Sequence, residues 1–242
     1  MTSIYSTLVE KVMSRFQLRE DHTEVRAFFP KTGFSHPFVT IAREPGSGGH
    51  PIGRIVADRL HFHFVDEELI EEVAKSTKKR KDVLLDVDEK GRTVIQDLVQ
   101  GIINPEYVSD LTFVTELTKV ILSYAYKGNV VILGRGSNFI TPFAQGLHVR
   151  ITAPYPVRLQ RAIDFEGHSP SRAREVISKY QKDRKDFVKQ YLRKDIEDGD
   201  FYDLTLNTTY FSPEQSADLI IQAYNAKFSP MRKLQNLIKR SR

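Results

Sequence analysis

A short apolar run, Phe38–Ile41, enters the turn Glu44-Pro45-Gly46-Ser47-Gly48-Gly49, and a pattern with Ile52, Ile55, Val56 and Leu60 on one helical face leaves it. Strand, glycine turn, helix is the geometry that aims successive backbone N–H groups and a helix N-terminus at one bound phosphate. Glycine suits such a turn because it accepts positive φ and lets an anion approach the backbone closely. The stretch Arg43 to His50 departs from the Walker A pattern GxxxxGK[ST]. With Gly48 as the motif's last glycine, Arg43 replaces its first, Gly49 stands where its lysine belongs, and His50 where its Ser/Thr belongs. A glycine turn with no ligand is the plainer alternative. The apolar strand before it and the amphipathic helix after it favour the phosphate reading.

The rest of the chain alternates in the same way. Phe62, Phe64 and Val65 suggest a second strand, with a helix through Leu69, Ile70 and Val73 behind it. A charged passage, 75–90, precedes helical patterns over 93–103 and 107–126, the latter ending at Gly128 as a C′ residue. Asn129–Leu133, Leu147–Thr152 and Tyr202–Leu206 read as strands. Ser212-Pro213-Glu214-Gln215, with Ser as N-cap and Gln at N3, opens a final helix. Strands alternating with helices predict an α/β protein, a parallel sheet of about five strands with helices on both faces. Residues 1–36 form a separate extension with one amphipathic helix (Ile4, Leu8, Val12, Phe16), expected to dock on the main domain or to bring two copies together.

Charge narrows the partners. With no cysteine, disulfides, thiolate catalysis and Cys-based metal sites are excluded. No apolar run reaches the ~18 residues that a membrane span needs, and without a signal-peptide core the expected compartment is the cytoplasm. Lys and Arg number 36 against 31 Asp and Glu. Residues 226–242 hold six basic residues and no acid, and residues 158–194 hold eleven basic residues and five acids. Without both segments the balance is 19 basic to 26 acidic, so an acidic body carries two basic patches. That distribution disfavours nucleic acid and favours nucleotide phosphates as the anionic partner. In the tail, Met231, Leu234, Leu237 and Ile238 fall at roughly helical spacing, which suits a docking helix or a contact with an anionic surface.

Four segments then carry a resemblance. TIAREPGSGGHPIGRIVADRL followed by FHFVDEELIEEVA, VVILGRGSNFITPFAQGLHVRITAPYPVRLQRA, KDRKDFVKQY, and DFYDLTLNTTYFSPEQSADLI occur in that order. Together they resemble the cytidylate kinase-like family of P-loop proteins, which carries a degenerate phosphate loop of the REYGSGG type. The resemblance spans about residues 38–225. It implies a three-layer P-loop nucleoside-monophosphate-kinase fold over 37–225 with a helical lid near 158–195. It also implies ATP- and Mg²⁺-dependent phosphoryl transfer to a nucleoside monophosphate, CMP or dCMP. No metal ligand is assigned. The alternatives are a catalytically inactive nucleotide-binding or regulatory module, a kinase of another small phosphorylated acceptor, and an anion-binding adaptor acting through the basic tail.

Phosphoryl transfer to an ionised oxygen needs positioning and charge neutralisation more than proton chemistry, so its site should be rich in arginine. Arg158 and Arg161, i,i+3 neighbours, can address one anion together, and with Arg184 they are the expected catalytic cations. Taken singly, each reads more readily as part of a solvated helix face; the cluster following a phosphate-loop pattern favours the lid. Arg43, Gly46, Ser47, Gly48, Gly49 and His50 are expected at the ATP phosphates, with Arg43 or a lid arginine supplying the missing loop charge. For His50, a surface histidine at a helix start is the simpler account. The resemblance places Asp66, Arg135 and Asp183 at the acceptor. Arg135 lies in a turn past a buried strand, where open α/β sheets bind ligands; the alternative for an arginine in a tight turn is a structural carboxylate partner. Asp66 serves equally well as the N-cap of the next helix. The acidic run Glu67-Glu68-Leu69-Ile70-Glu71-Glu72 stands where cytidylate kinases place an arginine, and it would repel an acceptor phosphate unless turned outward. His61 and His63 read as strand-end histidines, and Tyr107, Tyr124 and Tyr126 as packing residues.

Overall fold

The computed structural model describes Phe34 and residues 36–103 and 111–240, with side chains through Phe228. The N-terminal extension, bar these few residues, and Tyr107 lie outside that range. Five strands form one sheet: β1 (Phe38–Arg43), β2 (His63–Val65), β3 (Val130–Leu133), β4 (Gly146–Thr152) and β5 (Leu204–Asn207). Their spatial order is β2-β3-β1-β4-β5 and every pairing is parallel. The carboxyl ends of all five strands therefore share one edge. Chain order reverses about β1, because β1 leads to one edge through β2 and β3 leads across it to β4. Open α/β sheets bind their ligands at such a reversal.

A sheet covered on both faces alternates its side chains between two cores. Val130 and Ile132 of β3 face one core with Phe38, Ile70, Leu117 and Ile121, while Val131 and Leu133 face the other with Ile41, Ile52, Val56 and Tyr224. The first core packs under α2 (Glu67–Lys75), α4 (Glu89–Ile102) and α5 (Leu111–Lys127). The second packs under α1 (Gly49–Leu60) and the last helix, Pro213–Arg240. That helix starts as the sequence predicts: Gln215 N–H donates to Ser212 Oγ at 3.2 Å, and Ser212 N–H donates to Gln215 Oε1 at 2.9 Å. It continues to Arg240 and so takes in most of the basic tail.

Two expectations change. The charged passage 75–90 contains a helix, α3 (Thr77–Leu85), capped by Ser76 Oγ accepting from Lys79 N–H at 3.3 Å. It buries no residue, so no apolar stripe marks it in sequence. His61 is not on a strand: it closes α1 in the left-handed region at φ 55°. His63 does begin β2, exposed, and Tyr126 is a core residue as expected.

The amino-terminal side of the sheet buries a polar cluster. His148 on β4 is fully buried, with Nδ1 2.6 Å from Thr40 Oγ1 and Phe143 stacked on its ring at 5.0 Å. Lys227 donates to both oxygens of Asp203 at 2.7 Å and to the Gly146 carbonyl, so this tail cation is spent inside the protein. Burial, and then the nearby Lys227 charge, push the His148 pKa down to about 3. Unfolded, this imidazole takes up a proton near 6.5; folded, it does not until about 3. Its contribution to stability is therefore full above pH 6.5 and falls as the pH drops, by roughly 2 kcal/mol at pH 5. Denaturant unfolding at pH 7 and pH 5 should show that loss, and His148→Phe should flatten the slope.

Candidate active site

The glycine loop connects β1 to α1 at the carboxyl edge of the central strand. Gly48 is the N-cap of α1 at φ 86°. Gly46 has φ 74°, and a Cβ there would lie 2.6 Å from the Arg158 carbonyl oxygen, so no other residue fits. Gly49 is constrained from the other side. A Cβ on it would meet the Arg43 side chain, 2.5 Å from Cβ and 2.6 Å from Cγ. Arg43 thus fills the space that a side chain at position 49 would need. The Ser47 hydroxyl is fully buried and donates to the Glu44 carbonyl at 2.8 Å, which turns it away from the loop's mouth.

Arginines and carboxylates meet beyond the strand ends. Arg43 extends to the Gly134 turn and pairs through NH2 with Glu67 Oε1 at 2.5 Å; only 9% of its side chain is exposed. Arg184, on α8 (Pro170–Leu192), donates to the same Glu67 oxygen at 3.1 Å and to the Arg43 carbonyl at 3.3 Å. Arg135 follows β3 in a left-handed turn at φ 52° and pairs with Glu71, while its buried Nε has no hydrogen-bond partner. Burial, then the Arg184 charge, lower Arg43 to about 10, against the pull of Glu67. Burial would raise Glu67, but Arg43, Arg184 and Arg135 hold its carboxyl below the usual range. The Glu67 carboxylate is therefore ionised at neutral pH and neutralises cations aimed at the same space.

Arg158 and Arg161 lie on α7 (Tyr155–Asp164) and act as struts for the loop. Buried Arg158 donates to the carbonyls of Ala153 at 2.9 Å and Pro45 at 3.4 Å, with Glu44 at 3.5 Å. Arg161 donates to the carbonyls of Ser47 at 3.3 Å and Thr208 at 2.7 Å. Thr208, buried at the end of β5, bonds the same Ser47 carbonyl at 2.8 Å. That contact gives the Asn207-Thr208 pair of the resemblance a physical role. It ties the last strand to the glycine loop.

An open cleft of about 980 Å³ joins these parts. Of the expected residues, Arg43, Gly46, Ser47, Gly48, Gly49, His50, Arg135, Arg161 and Arg184 line it, and no lysine does among the described residues. Arg158 lies beneath the loop, outside the lining, and Asp183 is exposed on α8 and also outside it. Asp66 caps α2, its Oδ1 accepting from Leu69 N–H at 3.0 Å. Glu67, Glu68 and Glu71 line the cleft, so this part of the acidic run is not turned outward. The repulsion is avoided because Glu67 and Glu71 are matched by arginines. Their i,i+4 spacing, which puts both on one helix face, was the available signal.

A parallel five-stranded sheet, a glycine turn at the carboxyl end of its central strand and an arginine-lined cleft beside it define a kinase-like P-loop α/β protein. Residues 38–210 match the cytidylate kinase-like family, and the chain belongs to that family. It is 25% identical over 189 residues to a cytidylate kinase of Sulfolobus acidocaldarius, covering 78% of this chain and 94% of that one. A cytidylate kinase of Pyrococcus horikoshii is 28% identical over 178 residues, covering 73% and 82%. The crystal structure of an uncharacterized protein from Eubacterium ventriosum shares the fold, with a TM-score of 0.58 at 21% identity over 77% of this chain and 97% of that one.

The steric exclusion between positions 43 and 49 makes a double-mutant test. Gly49→Lys alone should destabilise by roughly 1–3 kcal/mol, as overpacking does. Arg43→Gly/Gly49→Lys should recover much of that loss, giving a coupling energy above about 1 kcal/mol in denaturant unfolding.

Proposed function

We propose that the protein transfers the γ-phosphoryl group of ATP to a nucleoside monophosphate, CMP or dCMP. One observation carries this reading: the cleft has the glycine loop on one side and Arg43, Arg135 and Arg184 converging on the other. Family membership supports it, and so do the relatives named cytidylate kinase.

In this reading the backbone N–H groups of Gly46–Gly49 and the N-terminus of α1 cradle the donor phosphates. Arg43 replaces the loop lysine, with its guanidinium entering from the strand instead of the helix. Arg161 and Arg184 flank the transferring group, and Arg158 keeps Pro45 and the loop in place. Arg135, with one N–H left unpartnered, takes the acceptor phosphate, while Asp66 and Asp183 stand outside the cleft lining. A rotation of α7 and α8 over the cleft would exclude water. The acceptor oxygen is already ionised, so the protein supplies alignment and charge neutralisation and needs no general base. A divalent cation accompanying the donor would be held by cleft carboxylates, Glu67, Glu68 and Glu71 offering them, and would neutralise phosphate charge. Mg²⁺ is held by one or two carboxylates plus phosphates, and the described residues offer no ready-made cage of three or more ligands.

A second reading, a nucleotide-binding module without turnover, draws on the absence of a cleft lysine and on the pairing of all three arginines with Glu67 or Glu71. Coupled ADP release over a panel of nucleoside monophosphates separates the two. Turnover should appear with CMP or dCMP, and ATP binding without turnover on any acceptor would establish the second reading. Arg135→Ala should raise the KM for the acceptor by roughly ten- to a hundredfold while changing the KM for ATP little, as loss of a charge-assisted contact of 1.5–3 kcal/mol implies.

A further inference from the structure

The first turn of α1 carries a histidine where a hydroxyl would face the donor phosphates and their cation. His50 Nε2 stands 3.5 Å from Asp66 Oδ2, with 52% and 23% of their side chains exposed. That separation is an ion-pair distance too long for a sound hydrogen bond. Asp66 is half committed: Oδ1 caps α2 through Leu69 N–H, leaving Oδ2 directed at the imidazole. The imidazole is held in turn by Phe64, whose ring meets it edge to face at 5.3 Å and 90°, with Arg54 over that same phenyl ring at 5.0 Å. The other hydroxyl in the loop, Ser47 Oγ, points into the fold at the Glu44 carbonyl. His50 Nε2 and Asp66 Oδ2 thus place a nitrogen and an oxygen side by side, His50 in the lining of the cleft beside the loop and Asp66 outside that lining.

Two ligand atoms each ~2.1 Å from one ion and 3.5 Å apart subtend about 110° at it. A small rotation of either side chain brings the angle toward 90°. We propose that His50 and Asp66 seat a first-row transition-metal dication of the Mn²⁺ or Co²⁺ type, whose remaining positions go to donor phosphate oxygens and water. This rests on the kinase reading for the phosphates but not for the two protein ligands. The reason is ligand chemistry. Imidazole nitrogen suits first-row transition metals, whereas Mg²⁺ favours an all-oxygen shell. Replacing the loop hydroxyl with His50 therefore shifts the preference away from Mg²⁺.

Electron spin-echo spectroscopy of Mn²⁺ bound to the full-length chain tests this, with inorganic tripolyphosphate as a nitrogen-free substitute for the donor. Samples with and without tripolyphosphate are compared. Nitrogen modulation on the Mn²⁺ signal is expected in both, and it should vanish in His50→Ser. Asp66→Asn should weaken Mn²⁺ binding roughly tenfold or more, and His50→Ser should lower the ratio of Mn²⁺ to Mg²⁺ affinity by a similar factor. Thermal unfolding of both variants checks that they fold. A wild-type signal without nitrogen modulation, or modulation unchanged in His50→Ser, overturns the proposal. Failure of the kinase reading looks different: the phosphate-free sample keeps its nitrogen modulation while the coupled assay shows no turnover.

Discussion

The carboxylate of Glu67 makes the carboxyl edge of this sheet tenable. Two guanidinium groups, from the end of β1 and from the middle of α8, lie close enough to share one of its oxygens. Without that anion they would repel each other in a setting where little water reaches them. Because Arg43 leaves the central strand and Arg184 leaves a helix distant in sequence, the same carboxylate fixes α2 and α8 against the sheet. The cleft is what these elements leave open between them.

That arrangement also shows why a small net charge says little about the site. The region read as basic is basic only on α7 and α8. Where those helices meet α2, each inward cation is matched or bound to a backbone carbonyl. Arg158 and Arg161 spend their donors on the loop's own framework. An anion entering the cleft would meet Arg43, Arg135 and Arg184 already paired, and would gain mainly by taking them over from Glu67 and Glu71.

Much of the fold was legible because burial writes itself into sequence. The β3 run Val130–Leu133 is apolar at every position because both faces are covered, and Ser212 with Gln215 announces the last helix through its capping hydrogen bonds. Helix α3 was hidden for the opposite reason, since it buries nothing. The site was legible in residue type but less so in role. The glycines and arginines could be named, but sequence does not say which arginine reaches the cleft and which holds up its floor. Arg158 and Arg184 look equivalent on paper; a 3.4 Å bond to Pro45 and a 3.1 Å bond to Glu67 separate them. Glu67 and Glu71 read as repulsive in sequence because their arginine partners lie at least 24 residues away in the chain.

The mutual exclusion of Arg43 and a side chain at position 49 has an evolutionary side. Two positions six residues apart cannot be exchanged one at a time. Adding a lysine at position 49 first produces a collision, and removing the arginine first leaves the loop with neither cation. A lineage moving between the two kinds of loop must cross that valley or change both codons together.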